Sequence, residues 1–185
     1  MRDAVGSTYF HKIVVTGASG FIGRRLAVRL KGDHPEAEHK FLVKIDDDPF
    51  CQSGSEFLRA HLIQPIPVEL VSGRGLQGLH TPDVLFHLAA NTHTWEMDQS
   101  CNDAGTETLM RAVEPMGPNN HVIFTSTVAV ADNRPRLEEP LTADAPVTGS
   151  PLSRYGRSKW RAEEFLKALA KKAGFRLTIL RLCTV

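Results

Sequence analysis

The sequence lacks the features that characterise membrane, secreted and metal-binding proteins. No apolar run approaches the length of a bilayer span, and residues 1–11 contain no apolar signal core. The 3 cysteines lie far apart without a C-x-x-C pair, which argues against a disulfide framework or a zinc site. A formal net charge of +1 creates no strong field for nucleic acid or lipid. We therefore expect a cytoplasmic protein with no metal and no nucleic-acid or membrane partner.

The composition is otherwise that of an ordinary globular domain. Hydrophobic residues make up 42% of the 185 residues, and charged residues make up 23%. A chain of this length can bury one sizeable core. No internal repeat of solenoid length and no low-complexity tract interrupts it. We expect a single domain that extends over residues 1–185.

Three glycines near the start of the chain have the spacing of a phosphate-binding turn. The β-branched run at residues 13–15 predicts a buried strand, and Gly17, Gly20 and Gly23 follow it. An apolar helical face continues over residues 24–30. The first glycine permits a tight turn, the second lets backbone approach phosphate, and the third lets the helix pack closely on the strand. The helix N-terminus would then bind the pyrophosphate of a dinucleotide, the alternative being an ordinary strand–helix turn.

A carboxylate follows the second predicted strand. The apolar run at residues 41–45 ends at Asp46, where a ribose-binding acid is expected. Such a carboxylate accepts hydrogen bonds from the ribose hydroxyls and repels a 2′-phosphate. Asp47 and Asp48 add negative charge, and no arginine is adjacent to them. The sequence therefore predicts NAD, rather than NADP, as the cofactor.

Strand and helix patterns alternate along the rest of the chain. This alternation predicts an α/β fold with a doubly wound parallel sheet, Rossmann-like, of about six strands. Ligands bind such sheets at the carboxyl ends of the strands. The predicted strands cover residues 13–15, 41–45, 68–71, 83–88, 121–125 and 175–182, and the main predicted helices cover residues 24–30, 51–64, 95–115 and 155–172.

A tyrosine and a lysine are spaced for acid–base chemistry. Tyr155 and Lys159 stand at i and i+4, which places them on one face of a helix. A nearby ammonium favours phenolate, so we expect a lowered pKa for Tyr155. The phenol could then exchange a proton at a substrate oxygen while a nicotinamide exchanges hydride. Thr127, at the tip of the fifth strand, could hydrogen-bond the same oxygen.

Taken together, the motifs resemble the extended short-chain dehydrogenase/reductases of the NAD-dependent epimerase/dehydratase group. The similarity extends over essentially the whole chain. The matching pieces are T-G-A-S-G-F-I-G at 16–23, I-D at 45–46, H-L-A-A at 87–90, N-D-A-G-T at 102–106, S-T-V-A-V at 126–130 and Y-G-R-S-K at 155–159.

The resemblance implies roles for individual residues. It implies that Tyr155 is the catalytic acid and base, Lys159 its partner and Thr127 the assisting hydroxyl. Family members usually dimerise through the helices at 95–115 and 155–172, so it implies a homodimer. They also continue into a substrate-binding lobe, so we expect this chain to be truncated and to lack that lobe. The implied cofactor-binding residues are Gly17, Ser19, Gly20, Phe21, Ile22, Gly23, Asp46, Leu88, Ala89, Ala90, Thr125, Tyr155 and Lys159.

Three functions remain open on the sequence. The first is an NAD-dependent epimerase, dehydratase or reductase that acts on a sugar nucleotide. The second is an NAD(P)H-dependent reductase of a non-sugar carbonyl or a thioester, because S-T-V-A-V followed by Y-G-x-S-K-W is also similar to the thioester reductases. The third is a dinucleotide-binding domain without catalysis. The small-molecule substrate is not identified.

Overall fold

Six parallel strands form one sheet, and helices connect them. The computed structural model describes residues 10–45, 49–92, 96–131, 142 and 151–183. The strands are β1 (Lys12–Thr16), β2 (Glu38–Lys44), β3 (Pro65–Val68), β4 (Val84–His87), β5 (His121–Thr127) and β6 (Arg176–Leu182). The helices are α1 (Phe21–Asp33), α2 (Pro49–Ala60), α3 (Ala104–Ala112) and α4 (Arg154–Ala173), with a short 3-10 turn at Val128–Ala131.

The strand order is β3-β2-β1-β4-β5-β6, and every neighbouring pair is parallel. This order confirms the predicted doubly wound fold. The chain runs outward from β1 to β3 and then crosses over to β4, so the direction of winding reverses between β1 and β4. Ligands of such sheets bind beside that point, at the carboxyl ends of the strands.

Side chains of β1 alternate between two cores because successive residues of a strand point to opposite faces. Ile13 and Val15 pack with Ala27 of α1 on one face of the sheet. Val14 packs with Phe124 on the other face, the one that α3 and α4 cover. Burial on both faces explains why the first strand is continuously apolar.

Three predicted elements have different bounds. The third strand is Pro65–Val68 rather than residues 68–71, because Pro65 and Pro67 pair with β2 at the edge of the sheet, where a proline is tolerated. The helix predicted at 51–64 ends at Ala60. The fifth strand extends through Thr127, which pairs with Leu182 of β6.

The helical pattern predicted over residues 95–115 yields a much shorter helix. Only Ala104–Ala112 is helical, with the Asp103 side chain accepting a hydrogen bond from Ala104 N. Residues 96–103 are described as irregular structure and turns. By contrast, α4 begins and ends as predicted within a residue. Ser153 caps its start, and Gly174 ends it in the left-handed conformation with φ of 84°.

Helix α1 contacts the chain before it through a glycine. A Cβ built on Gly23 would lie 2.1 Å from the carbonyl oxygen of Gly17. On the same helix Gly32 has no neighbouring atom within 4 Å of such a Cβ. The two positions therefore differ in packing alone. Among the helices that the structure describes, none is both long enough and apolar enough to cross a membrane.

We predict opposite effects for two alanine substitutions in α1. Gly23→Ala forces the helix away from the turn and should lower the free energy of unfolding by about 1–3 kcal/mol. Gly32→Ala restricts only the unfolded chain and should raise it by up to about 1 kcal/mol. Urea unfolding of both variants provides the measurement. Equal effects would show that Gly23 has no packing role.

Candidate active site

The glycine turn brings two strand ends into contact. Gly17 has φ of +66°, a backbone conformation that residues with a Cβ rarely adopt. A Cβ there would also lie 2.8 Å from the backbone nitrogen of Ala89, which follows β4. Gly20 N donates to Gly17 O at 3.0 Å and closes the turn. The turn is thus held against the segment that the sequence assigns to cofactor binding.

The outer side of the turn is open. Gly20 is the N-cap residue of α1, and a Cβ there would meet only Gly17 O, at 3.1 Å. Phe21 and Ile22 begin the helix with exposed side chains, whereas Ser19 is buried. The first N–H groups of a helix have no partner within it, so they are available to an anion.

A glycine that the sequence analysis missed supports the turn from behind. A Cβ on Gly54 of α2 would lie 1.9 Å from the carbonyl oxygen of Ser19. Helix α2 can approach the glycine turn this closely only because residue 54 has no side chain. The signal in the sequence is a glycine in the middle of an otherwise amphipathic helix.

Asp46 lies outside the described residues, so its proposed contact with ribose stays a prediction. Most of the loop between β5 and α4 also lies outside the described residues. The other predicted cofactor residues, which follow β4 or lie on β5, are half-buried at the carboxyl edge: Leu88, Ala89, Ala90 and Thr125. The Thr125 hydroxyl donates to the carbonyl oxygen of His87 at 3.2 Å.

The three predicted catalytic residues come together where β5 ends and α4 begins. Thr127 is the last residue of β5, Tyr155 is in the first turn of α4, and the Thr127 hydroxyl lies close enough to the phenol to affect its pKa. Lys159 follows one turn later and is only 1% exposed. Its Nζ lies 4.1 Å from the centre of the Phe124 ring and has no hydrogen-bond partner among the described residues.

The expected lowering of the Tyr155 pKa is wrong for the chain by itself. Burial raises this pKa, and the Thr127 hydroxyl opposes the rise only in part. Burial also lowers the pKa of Lys159 to about 7, against smaller opposing effects of Cys101 and Glu163. The lysine is therefore only partly charged at neutral pH, which weakens its effect on the phenol.

A buried ion pair lies one helical turn beyond the lysine. The Glu163 carboxylate is fully buried and accepts from Arg181 Nε at 3.0 Å and Nη2 at 2.7 Å. Burial alone would raise the pKa of Glu163, but the hydrogen bonds and charge of Arg181 bring it below its ordinary value. The negative charge of Glu163 opposes the loss of the proton from Lys159.

These features fit a dinucleotide cofactor. The open glycine turn offers backbone N–H groups to a pyrophosphate, and the buried amine of Lys159 offers donors at the other end of the edge. In the described part of the chain no three histidine, cysteine, aspartate or glutamate side chains gather where they could hold a metal ion.

A family model decides the assignment of the chain. The model of the NAD-dependent epimerase/dehydratase family matches residues 13–185. The chain belongs to this family. Membership confirms the family that the motifs resemble and, with it, the predicted NAD cofactor.

Relatives with different named activities match the chain. The chain is 30% identical over 185 residues to the UDP-glucose 4-epimerase of Yersinia pestis, and this match covers 91% of the chain and 52% of the epimerase. It is 27% identical over 211 residues to a carboxylic acid reductase of Mycobacterium tuberculosis, covering 95% of the chain and 18% of the reductase. The chain thus spans about half the length of the epimerase.

A solved structure supports the fold. The crystal structure of UDP-glucuronic acid 4-epimerase from Bacillus cereus, in complex with UDP-glucuronic acid and NAD, superposes with a TM-score of 0.73. The match covers 92% of this chain and 55% of that one, at 24% identity. At this identity the likeness shows the architecture, not the substrate.

We predict that the buried amine makes stability depend on pH. The pKa of Lys159 falls from 10.5 to about 7 on folding. Between these values the unfolded chain holds a proton that the folded chain lacks, so the free energy of unfolding rises with pH. Lys159→Met should therefore be more stable than wild type at pH 6, by about 3–5 kcal/mol, and the difference should shrink towards pH 10.

Urea unfolding at pH 6, 8 and 10 tests this dependence. Lys171→Met serves as the control, because Lys171 is an exposed lysine of the same helix. Parallel pH curves for wild type and Lys159→Met would contradict the lowered pKa.

Proposed function

We propose that this chain binds NAD along the carboxyl edge of its sheet and performs epimerase/dehydratase-type chemistry on a sugar nucleotide. The observation that carries the proposal is the Lys159 amine, which is buried one turn from Tyr155 and has no hydrogen-bond partner in the described part of the chain. A buried amine without an acceptor is unfavourable by itself, because the charged form loses its hydration. Ribose hydroxyls of a nicotinamide nucleotide would supply the missing acceptors.

The cofactor would extend from the glycine turn to α4. Its pyrophosphate would lie on Gly17, Ser19 and Gly20 and on the first N–H groups of α1 at Phe21, Ile22 and Gly23. Asp46 would accept from the adenosine ribose. Leu88, Ala89, Ala90 and Thr125 would flank the nicotinamide half, and Lys159 would hold its ribose.

Bound NAD would supply the hydride acceptor. The side chains of this chain would donate a proton to the substrate oxygen or accept one from it. The raised pKa keeps the Tyr155 phenol protonated at neutral pH, so it can donate a proton to a substrate oxygen. To accept the proton that a substrate hydroxyl loses when its carbon gives up hydride, the group must be a phenolate, and a charged Lys159 nearby would favour that form. Thr127, which lies beside the phenol, would orient the same substrate oxygen.

The sugar-nucleotide substrate is supported by the similarity to the Yersinia pestis epimerase. The second candidate is a reductase of a carbonyl or thioester, supported by the similarity to the carboxylic acid reductase. A homodimer through α3 and α4 stays a prediction. Phe165 and Leu169 of α4 pack against the core, which is the alternative use of that face.

We predict that the chain binds NADH at least about tenfold more tightly than NADPH, because the carboxylate of Asp46 repels a 2′-phosphate. Gly20→Ala should weaken NADH binding about tenfold or more, since its methyl group obstructs the approach of phosphate. It should change the free energy of unfolding by less than about 1 kcal/mol, because the methyl meets one atom.

Isothermal calorimetry measures both affinities, with Gly32→Ala as a control expected to bind like wild type. Tighter binding of NADPH would contradict the role of Asp46. Unchanged binding by Gly20→Ala would contradict the glycine turn as the phosphate site.

We predict that this chain, joined to a substrate-binding lobe and supplied with NAD⁺, converts UDP-glucose to UDP-galactose and that Tyr155→Phe lowers the rate at least about 100-fold. Chromatography of the nucleotide sugars follows the conversion. Oxidation of NADH or NADPH by an aldehyde or a thioester, without epimerisation, would instead favour the reductase.

A further inference from the structure

A histidine joins three elements of the proposed site. His87 is the last residue of β4, and its ring is completely buried. Nδ1 lies 2.7 Å from the Thr16 hydroxyl at the end of β1, and Nε2 lies 2.8 Å from the Thr106 hydroxyl in α3. Its carbonyl oxygen accepts from Thr125 of β5. All three partners are threonines on different elements.

The hydrogen bonds of these partners determine where the imidazole proton is. Thr106 Oγ1 lies 2.7 Å from the carbonyl oxygen of Asn102, which can only accept, so the Thr106 hydroxyl donates there. It can then only accept from His87, which places the ring proton on Nε2. Nδ1 is left as an acceptor, and the Thr16 hydroxyl donates to it. Thr16 in turn accepts from the Ala89 N–H at 3.1 Å.

On the Nδ1 side, the hydrogen bonds of His87 lead to the glycine turn. Thr16 directly precedes Gly17, and Ala89 is the residue against which Gly17 packs. Because the Thr16 hydroxyl donates its proton to His87, the lone pairs of its oxygen stay available to accept from the Ala89 N–H. The histidine therefore helps to fix the contact between the turn and the end of β4.

On the Nε2 side, the hydrogen bonds lead to the start of α4. The Asn102 side chain accepts from Asn91 N at 2.7 Å and donates to Asn91 O at 3.0 Å, as a neighbouring strand would. Its amide also lies 3.0 Å from the Ser158 hydroxyl, which donates to the carbonyl oxygen of Tyr155 at 2.8 Å. Asn102 thus attaches the first turn of α4 to the loop after β4.

We propose that His87, as a neutral imidazole with its proton on Nε2, is a positioning residue that attaches the glycine turn to the end of β4 through Nδ1 and the helix carrying Tyr155 and Lys159 through Nε2. We refer to these two separate attachments as the coupling. The inference rests on the proposed function of those two parts. Neither part is reached by the histidine directly. It acts through Thr16 on the one side and through Thr106 and Asn102 on the other.

The residues around His87 keep its imidazole ring neutral. Burial, and secondarily the charge of Lys159, lower the pKa of His87 to about 3. Both side chains contact the Phe124 ring, whose centre lies 5.4 Å from that of the imidazole and 4.1 Å from Lys159 Nζ. A second proton on Nδ1 would break the bond from Thr16 and place a cation near the amine.

Nitrogen-15 NMR of the unmodified chain tests the first part of the proposal. Imidazole nitrogen shifts distinguish the two neutral tautomers from each other and from imidazolium. We expect a protonated Nε2 and an unprotonated Nδ1 for His87, unchanged between pH 5 and pH 8. A protonated Nδ1, or an imidazolium in this range, would overturn the proposal.

Two substitutions test the coupling, because each retains one half of the ring's function. His87→Gln keeps a donor near the Nε2 position and loses the acceptor for Thr16. His87→Asn keeps an acceptor near the Nδ1 position and loses the donor for Thr106. The readouts are the Kd for NADH and the hydrogen exchange of the Arg157 amide, which donates to Ser153 O in the first turn of α4.

We expect each variant to move one readout. His87→Gln should raise the Kd for NADH about tenfold, the loss of one buried hydrogen bond, and leave Arg157 exchange within about threefold of wild type. His87→Asn should speed that exchange about tenfold and leave the Kd within about threefold. Equal effects of both variants on both readouts would indicate that His87 only stabilises the fold in general and would overturn the coupling.

The outcomes separate this proposal from the function on which it rests. If the unmodified chain fails to bind NADH, the proposed function fails, while the tautomer and the exchange rates still report on the histidine. If it binds NADH and both variants bind it equally well, only the coupling fails. If neither variant folds, the tautomer measurement on the unmodified chain decides.

Discussion

The buried amine of Lys159 is the interaction around which the site is arranged. Its Nζ lies over the Phe124 ring and has no hydrogen-bond acceptor among the described residues. The carboxylate of Glu163 follows one turn later in α4, and Arg181 of β6 holds that carboxylate. Removing an ammonium from water costs stability, so the burial of this amine without an acceptor among the described residues favours a functional role for it. A cofactor ribose would give it the acceptors that the described protein atoms do not.

Close contacts between backbones position the rest of the edge. Gly17, Gly23 and Gly54 each stand where a Cβ would overlap a neighbouring backbone atom, so β1, α1, α2 and the segment after β4 meet at one turn. The threonine contacts of His87 then connect this turn to α3 and, through Asn102, to α4. Packing and hydrogen bonding thus both fix the distance between the glycine turn and the helix that carries Tyr155 and Lys159.

Local signals predicted the parts of the molecule that depend on local rules. The strand before Gly17 and the helix that carries Tyr155 and Lys159 each follow from a few neighbouring residues, and the structure has both. Features that depend on distant residues were missed or wrong. The prolines of β3 form a strand because β2 pairs with them at the edge of the sheet. Residues 96–103 are irregular rather than helical. Gly54 and Ser19 are distant in sequence and come into contact only when α2 packs on the glycine turn. The expected direction of the Tyr155 pKa was wrong because burial of both groups does not show in their spacing.

The most direct test of this account is the pKa of Lys159 with and without NAD⁺, followed by NMR of the ε-carbon in 13C-lysine-labelled protein. Assignment uses the spectrum of Lys159→Met. The pKa should be about 7 in the chain alone. It should rise by at least about one unit with saturating NAD⁺, because acceptors that hydrogen-bond the ammonium favour its charged form. A pKa that stays unchanged while NAD⁺ is bound would show that the cofactor does not reach the amine, and would contradict the proposed arrangement of the site.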